Sequence, residues 1–231
     1  MIDLSRREQV FVLRLCAGEN RIHPEFLAAF GAALDEVEAS EGPAALVTTG
    51  EGRFYSNGLD VAGLARLGGE GVRAFLADLD RSFARLLSFP VPCVAAINGH
   101  AFAAGGMLAL AHDFRVMRVD RGFFCLPEID MAMKQPLERG MYALLGAKLA
   151  APVLHEALVT GRRFGGLDAA ANGLVTEAVA EAEVLPRALE LARSLAGKDR
   201  ATLSALRRGL YAEALAVLER HDRPAGPGGG N

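Results

Sequence analysis

Two periods organise the apolar positions of this chain. Val10–Leu15 is a short run rich in β-branched and large apolar residues, and it reads as a strand. After it, Phe26, Leu27, Phe30, Leu34 and Val37 recur at helical spacing. Pro24 suits the first turn of that helix, and Glu41-Gly42-Pro43 stops it. Ala44–Thr49 is almost wholly apolar and reads as an interior strand, ending in the glycine-punctuated loop Gly50–Gly58. The stripe Val72, Phe75, Leu76, Leu79, Phe83, Leu86 and Leu87 predicts a long amphipathic helix. Pro90 and Pro92 then turn the chain into a third strand, Cys93–Ile97, and a small-residue segment, Ala101–Ala111, reads as a buried helix. Phe114–Val119 and Gly122–Leu126 are further strand candidates. From Leu137 the pattern is mostly helical, near 137–146, 148–158, 184–197 and 200–220.

Apolar strands alternating with helices through the first two-thirds indicate an α/β fold. The reading divides the chain into a core over 1–197, a C-terminal helical segment over 198–221 that packs on the core or a neighbouring subunit, and a flexible tail over 222–231.

Composition narrows the function class. Of 231 residues 51% are hydrophobic and 23% charged, an ordinary globular balance with enough chain to bury a core without disulfides. Cys16, Cys93 and Cys125 lie in apolar runs without CxxC spacing and read as buried small hydrophobes. The net charge of −3, with 25 Lys and Arg spread along the chain, argues against a nucleic-acid footprint or a polybasic membrane patch. No stretch approaches roughly 18 uncharged apolar residues, so no membrane span is expected. The charged start Met1–Glu8 and the terminal Gly-Gly-Asn lack the marks of a signal peptide or a Ser-Lys-Leu address, and the expected location is the cytoplasm.

Two junctions carry the candidate chemistry. Leu46–Thr49 leads into Phe54-Tyr-Ser-Asn-Gly-Leu-Asp60, and Val94–Ile97 leads into Asn98-Gly-His-Ala-Phe-Ala-Ala-Gly-Gly106. Each puts small residues where a strand hands over to a helix, which leaves backbone N–H groups uncovered. Taken singly, each loop reads as a tight turn. Two loops offering one N–H each form an oxyanion hole of the kind enolate chemistry needs.

In these stretches, and in Thr160-Gly-Arg-Arg-Phe164 with Ala169–Val175, the chain resembles the crotonase (enoyl-CoA hydratase/isomerase) superfamily over residues 8–197. His23-Pro24, Ser56-Asn-Gly58, Asn98-Gly-His100 and His112–Arg118 resemble its Δ3,Δ2-enoyl-CoA isomerase branch. The resemblance implies a spiral of ββα units, a homotrimer or dimer of trimers, and acyl-CoA thioesters as substrates. No separate cofactor is implied, coenzyme A being part of the substrate. By motif position the oxyanion amides are those of Leu59 and Ala104, and the loop Ser56, Asn57, Gly58, Leu59 and Asp60 lines the coenzyme A path through its backbone.

Hydratases of this family use two glutamates. Met107 stands at the position of one, while Pro127-Glu128 supplies the other. Hydration needs a water held and deprotonated while a proton reaches the adjacent carbon, a task suited to two carboxylates. Moving a double bond needs one proton taken and returned, for which one base suffices. The expectation is therefore an isomerase of fatty-acid degradation. Glu128 carries the proton from C2 to C4 of a 3-enoyl-CoA, in an apolar setting of Phe124, Leu126, Ile129 and Met131 that raises its basicity. Two alternatives stand beside it: another crotonase-fold enzyme, hydratase-like or thioester-cleaving, and a catalytically silent acyl-CoA-binding homologue.

Other candidates read as structural. Asp130 replaces the family's usual glycine, and in an extended segment it faces away from Glu128. Glu138 fits a helix's first turn. Ser56 has half of a nucleophile-elbow pattern and reads as a loop-capping hydroxyl. His100 and His112 are too isolated for a metal site, and His112-Asp113 reads as satisfying backbone groups at a helix end. Met107, Met131, Met133 and Met141 read as core filling, with an acyl pocket as the other use. Gly50-Glu-Gly52 and Gly105-Gly106 do not complete a dinucleotide-binding motif.

Overall fold

The computed structural model describes residues 2–131 and 137–220, so Met133 and the expected tail over 222–231 lie outside the described residues. The chain opens with a hairpin of β1 (Ile2–Arg7) and β2 (Val10–Leu15), then α1 (Pro24–Ala39). Next come β3 (Ala45–Gly50), β4 (Phe54–Ser56), α2 (Val61–Leu64) and α3 (Gly68–Leu87), followed by β5 (Cys93–Ile97), β6 (His100–Phe102) and α4 (Ala104–Leu110). A third round is β7 (Phe114–Arg118), β8 (Phe124–Cys125), a 3₁₀ turn at Glu128–Met131, and α5 (Arg139–Lys148). The remainder is α6 (Ala151–Thr160), α7 (Gly166–Ala171), β9 (Glu177–Val179), α8 (Glu181–Leu195), α9 (Arg200–Leu210) and α10 (Ala212–Leu218).

Three consecutive rounds therefore repeat strand, strand, helix. The first strand of each round enters a six-stranded sheet of order β1-β2-β3-β5-β7-β9, parallel except for the β1–β2 hairpin. The second enters a three-stranded parallel sheet of order β4-β6-β8. The expected spiral of ββα units is present.

The apolar runs are explained by cover on both faces of the large sheet. Val12, Ala45, Val47, Val94 and Ala96 pack beneath α8 against Val184, Ala188 and Ala192. Their alternating neighbours Phe11, Leu13, Leu46, Ala95 and Ile97 join the larger core, which includes Phe26, Phe30, Phe83 and Leu144. Period-2 alternation thus survives, although both faces are hydrophobic.

Several elements differ from the sequence reading. Ile2–Arg7, read by its charge alone, is an edge strand whose mostly exposed side chains leave no apolar stripe to detect. The segment Ala101–Ala111 divides into β6 and α4 because Ala103 takes φ 50°, ψ −127°, which no helix accommodates. The candidate strand over Gly122–Leu126 shortens to Phe124–Cys125. The helical run near 200–220 breaks at Tyr211, with φ −107° and ψ 21°. Asp130 lies in a 3₁₀ turn closed by its N–H to the Pro127 carbonyl at 2.9 Å, so the extended geometry assumed for it does not hold. Its φ is not positive, which lets a non-glycine residue stand there.

The C-terminal helices are fastened to the core. Arg207 on α9 is buried and donates to the carbonyls of Phe89 and Val91, the latter at 3.0 Å. It also pairs with Asp113, whose carboxylate accepts the Cys93 N–H at 2.7 Å.

Candidate active site

The site begins where β4 and β6 end. Asn20, buried with φ 51°, donates through its side-chain amide to the carbonyls of Phe54 and Tyr55, at 3.1 and 3.2 Å. Ser56 is fully buried; its hydroxyl donates to the Asn20 carbonyl at 2.7 Å and accepts from the Gly58 N–H at 3.3 Å. It is a loop cap, as read from the sequence. The Asp60 N–H donates to the Ile22 carbonyl at 3.0 Å, and the Asp60 carboxylate caps α2 by accepting the Gly63 N–H at 3.1 Å. Between two committed amides, the Leu59 N–H has no acceptor among the described residues.

The second loop repeats the arrangement. The Ala103 N–H donates to the Cys125 carbonyl at 3.0 Å, and the Ala104 N–H, first in α4, has no acceptor among the described residues. Alanine at φ 50°, ψ −127° is a conformation that costs roughly 1–3 kcal/mol and persists only where its surroundings impose it.

Two glycines let the loops meet. Gly58 has φ +80°, and a methyl group there would stand 3.0 Å from the Ala103 Cβ and 3.3 Å from the Ala104 nitrogen. A methyl group on Gly105 would collide with the Ser56 carbonyl. The loop bearing Leu59 therefore lies directly against the start of α4.

Glu128 faces the same space. A cavity of about 260 Å³ is lined by Leu59, Ala104 and Glu128 together with Asn57, Arg21 and an apolar wall that includes Phe102, Met107, Pro127, Leu137 and Met141. Glu128 is 6% exposed, and its Oε2 has no hydrogen-bond partner among the described residues. Burial pushes its carboxyl up to about 7, with its own backbone amide pulling weakly the other way. A carboxylate stripped of water and of donors is a stronger base than a solvated one.

Of the residues singled out in the sequence, Leu59, Ala104, Glu128 and Asn57 line this cavity, as do Met107, Met131 and Met141, for which an acyl pocket was the other use. Ser56, Gly58 and Asp60 build its loop from behind. The apolar setting foreseen for Glu128 needs correction. Phe124 and Leu126 are buried, but Ile129 is 56% and Met131 42% exposed, since the 3₁₀ turn swings them outward. Met131 still reaches the cavity edge, while Ile129 does not. Met107 on α4, with Leu137 and Met141 at α5, supplies the apolar lining that Glu128 shares. Asp130 is exposed and does not line the cavity. Glu138 is the N-cap residue of α5, one position before the first turn expected for it.

Sequence reasoning missed Arg21 and Asn20. Arg21 at the cavity edge is paired with Glu19 at 2.7 Å, and Glu19 also accepts from the Asn57 side chain at 3.0 Å. No periodicity marks a loop arginine. An asparagine in a turn, which tolerates positive φ, was the available signal for Asn20. Among the described residues no group of three His, Cys, Asp or Glu side chains is placed to hold a metal ion.

Known proteins share the sequence pattern and the fold. The enoyl-CoA hydratase/isomerase family profile matches residues 6–222. Enoyl-CoA delta isomerase 3 of Arabidopsis thaliana is 34% identical over 230 residues, 95% of this chain and 95% of that protein. Among solved structures, a probable enoyl-CoA hydratase from Mycobacterium tuberculosis H37Rv superposes with a TM-score of 0.87 at 27% identity, covering 94% of this chain and 91% of that one. The apo structure of an enoyl-CoA isomerase from Mycobacterium tuberculosis gives 0.86 at 28% identity, with 94% and 93% coverage. With a match of this extent in sequence and fold, the chain belongs to the enoyl-CoA hydratase/isomerase family of crotonase-fold enzymes.

Proposed function

We propose that this enzyme moves the double bond of a 3-enoyl-CoA to the trans-2 position. The observation that carries the reading is that Glu128 is the one acid among the described residues lining the cavity, with buried Met107 in the same lining. Ionised Glu128 takes a proton from C2. The electrons move into the thioester, whose oxygen accepts the Leu59 and Ala104 N–H groups as it becomes anionic. The protonated carboxyl then returns the proton at C4, and the new double bond lies between C2 and C3. No water is consumed and no second base is needed. Asn57 and Arg21 sit at the cavity edge, where the polar part of a coenzyme A thioester leaves the apolar interior. The same reading expects a homotrimer or a pair of trimers, which sedimentation will show.

The test pairs two substrates with one variant. The wild type should convert 3-hexenoyl-CoA and leave 2-hexenoyl-CoA largely unhydrated, and Glu128→Gln should lose about 10²–10⁴-fold in turnover while keeping its circular dichroism spectrum. Turnover by Glu128→Gln within a few-fold of wild type removes the assignment. Hydration of 2-hexenoyl-CoA at comparable rates moves the enzyme to the hydratases.

A further inference from the structure

Away from the cavity, three buried polar side chains form a connected chain that the proton transfer above does not use. Thr48 on β3, Tyr55 on β4 and His112 just beyond α4 are each fully buried. Thr48 Oγ1 lies 2.8 Å from the Tyr55 hydroxyl and 2.9 Å from His112 Nε2. His112 Nδ1 lies 2.8 Å from the Leu108 carbonyl. A carbonyl can only accept, so Nδ1 carries the imidazole proton and Nε2 is left as an acceptor. The Thr48 hydroxyl must then donate to Nε2, and its lone pairs receive the Tyr55 hydroxyl. Every direction is fixed, from Tyr55 through Thr48 and His112 to Leu108.

Ionisation does not interrupt this chain near neutral pH. Burial lowers His112 to about 3 and raises the Tyr55 phenol. The cations beside His112 act in the same sense: Arg115 and Lys148 donate to its carbonyl at 3.1 and 2.9 Å, and Arg207 lies near.

The ends of the chain give it meaning. Tyr55 stands four residues before Leu59, and Leu108 stands four residues, about one helical turn, after Ala104. Thr48 sits between them on a central strand of the large sheet. The path thus joins β4, which leads into the loop carrying one free amide, to the short helix that carries the other. A seven-residue helix is stiff along its axis, so anchoring α4 at Leu108 also fixes the depth of Ala104.

We propose that Tyr55, Thr48 and His112 are positioning residues whose hydrogen-bonded chain sets the spacing between the Leu59 and Ala104 amides. The inference rests on the isomerase reading and deepens it. Amide spacing matters most when the oxygen bears charge, so its loss belongs in kcat and leaves KM nearly unchanged.

The experiment measures kcat and KM for 3-hexenoyl-CoA, the pH profile and the melting temperature. Tyr55→Phe removes the terminal donor and leaves the shape intact. It should lower kcat about tenfold, a fraction of what losing a whole oxyanion donor costs, with KM within twofold and the pH midpoint unmoved. Thr48→Val, which breaks the chain at its centre, should lose more, and Thr48→Ser should return kcat to near the wild-type value. Ser88→Ala serves as the comparison for plain destabilisation, because the Ser88 hydroxyl donates to the Ala84 carbonyl at the end of α3 and does not line the cavity. It should lower the melting temperature and spare kcat. If Thr48→Val does not fold, Tyr55→Phe decides. Wild-type kcat in Tyr55→Phe, or an equal kcat loss in Ser88→Ala, overturns the proposal while leaving the isomerase in place. A wild type inert toward 3-hexenoyl-CoA takes down both.

Discussion

Glu128 shows how much one side chain's surroundings decide. A glutamate in water is ionised well below neutrality, whereas this one, facing Met107 and Met141 without a cation beside it, is held up to about 7. Two consequences follow, with opposite signs. The proposed proton transfer needs the ionised form, so kcat/KM should climb about tenfold per pH unit below pH 7 and level off above it. A profile flat from pH 5.5 to 8.5 would place the base elsewhere. Stability runs the other way. The folded protein holds a proton on Glu128 up to about pH 7 while the unfolded chain releases it near its ordinary value of 4.5, so this residue's contribution falls as pH rises between those values. Glu128→Gln should therefore melt a few degrees above the wild type at pH 8, with the gap closing by about pH 4. Thermal melts at the two pH values check this directly.

At the scale of elements, the determining feature is the meeting of two loops. Gly58 supplies positive φ and an absent side chain where the Ala104 amide passes. Gly58→Ala adds backbone strain of about 1–2 kcal/mol and a methyl group against Ala103. It should lower the melting temperature by several degrees and cut kcat at least tenfold, with steady-state kinetics separating the two effects. This juncture was partly legible in the sequence, because small residues after apolar strands announce exposed amides and the motif pointed to Leu59 and Ala104. The site's second wall was less legible. Leu137 and Met141 come to the cavity through the packing of α5 and the residues just before it, and nothing in their spacing distinguishes a cavity lining from an ordinary helix face. The 3₁₀ turn at Glu128–Met131 was also hidden, since Pro-Glu-Ile-Asp has no period long enough to separate turn from strand. Likewise the edge strand Ile2–Arg7 pairs through its backbone, which leaves little trace in side-chain pattern.

Over the whole molecule, the long-range order of the strands was the least accessible to sequence reading. Alternation gave the α/β class, but not the rule that the two strands of each round enter different sheets. That rule comes from the turns at Gly50 and Gly99, where an added side chain would strike the Phe54 and Arg53 carbonyls. Among the ties that hold the C-terminal helices, the pair of buried Arg207 with half-buried Asp113 is the innermost charged one. Arg207→Ala leaves the Asp113 carboxylate without its cation and frees the carbonyls of Phe89 and Val91, a loss of about 3 kcal/mol or more in urea unfolding. A loss below 1 kcal/mol would show that α9 is held by its apolar contacts alone.

In the proposed reaction the groups that meet the substrate's developing charge are peptide amides, which every residue but proline would supply at those positions. Short of proline, which has no N–H to offer, a point mutation bends that cradle without deleting it, whereas exchanging a single side chain on the cavity wall would change what the cradled intermediate does next. Selection acting on such a scaffold is free to vary the reaction while inheriting its hardest part intact.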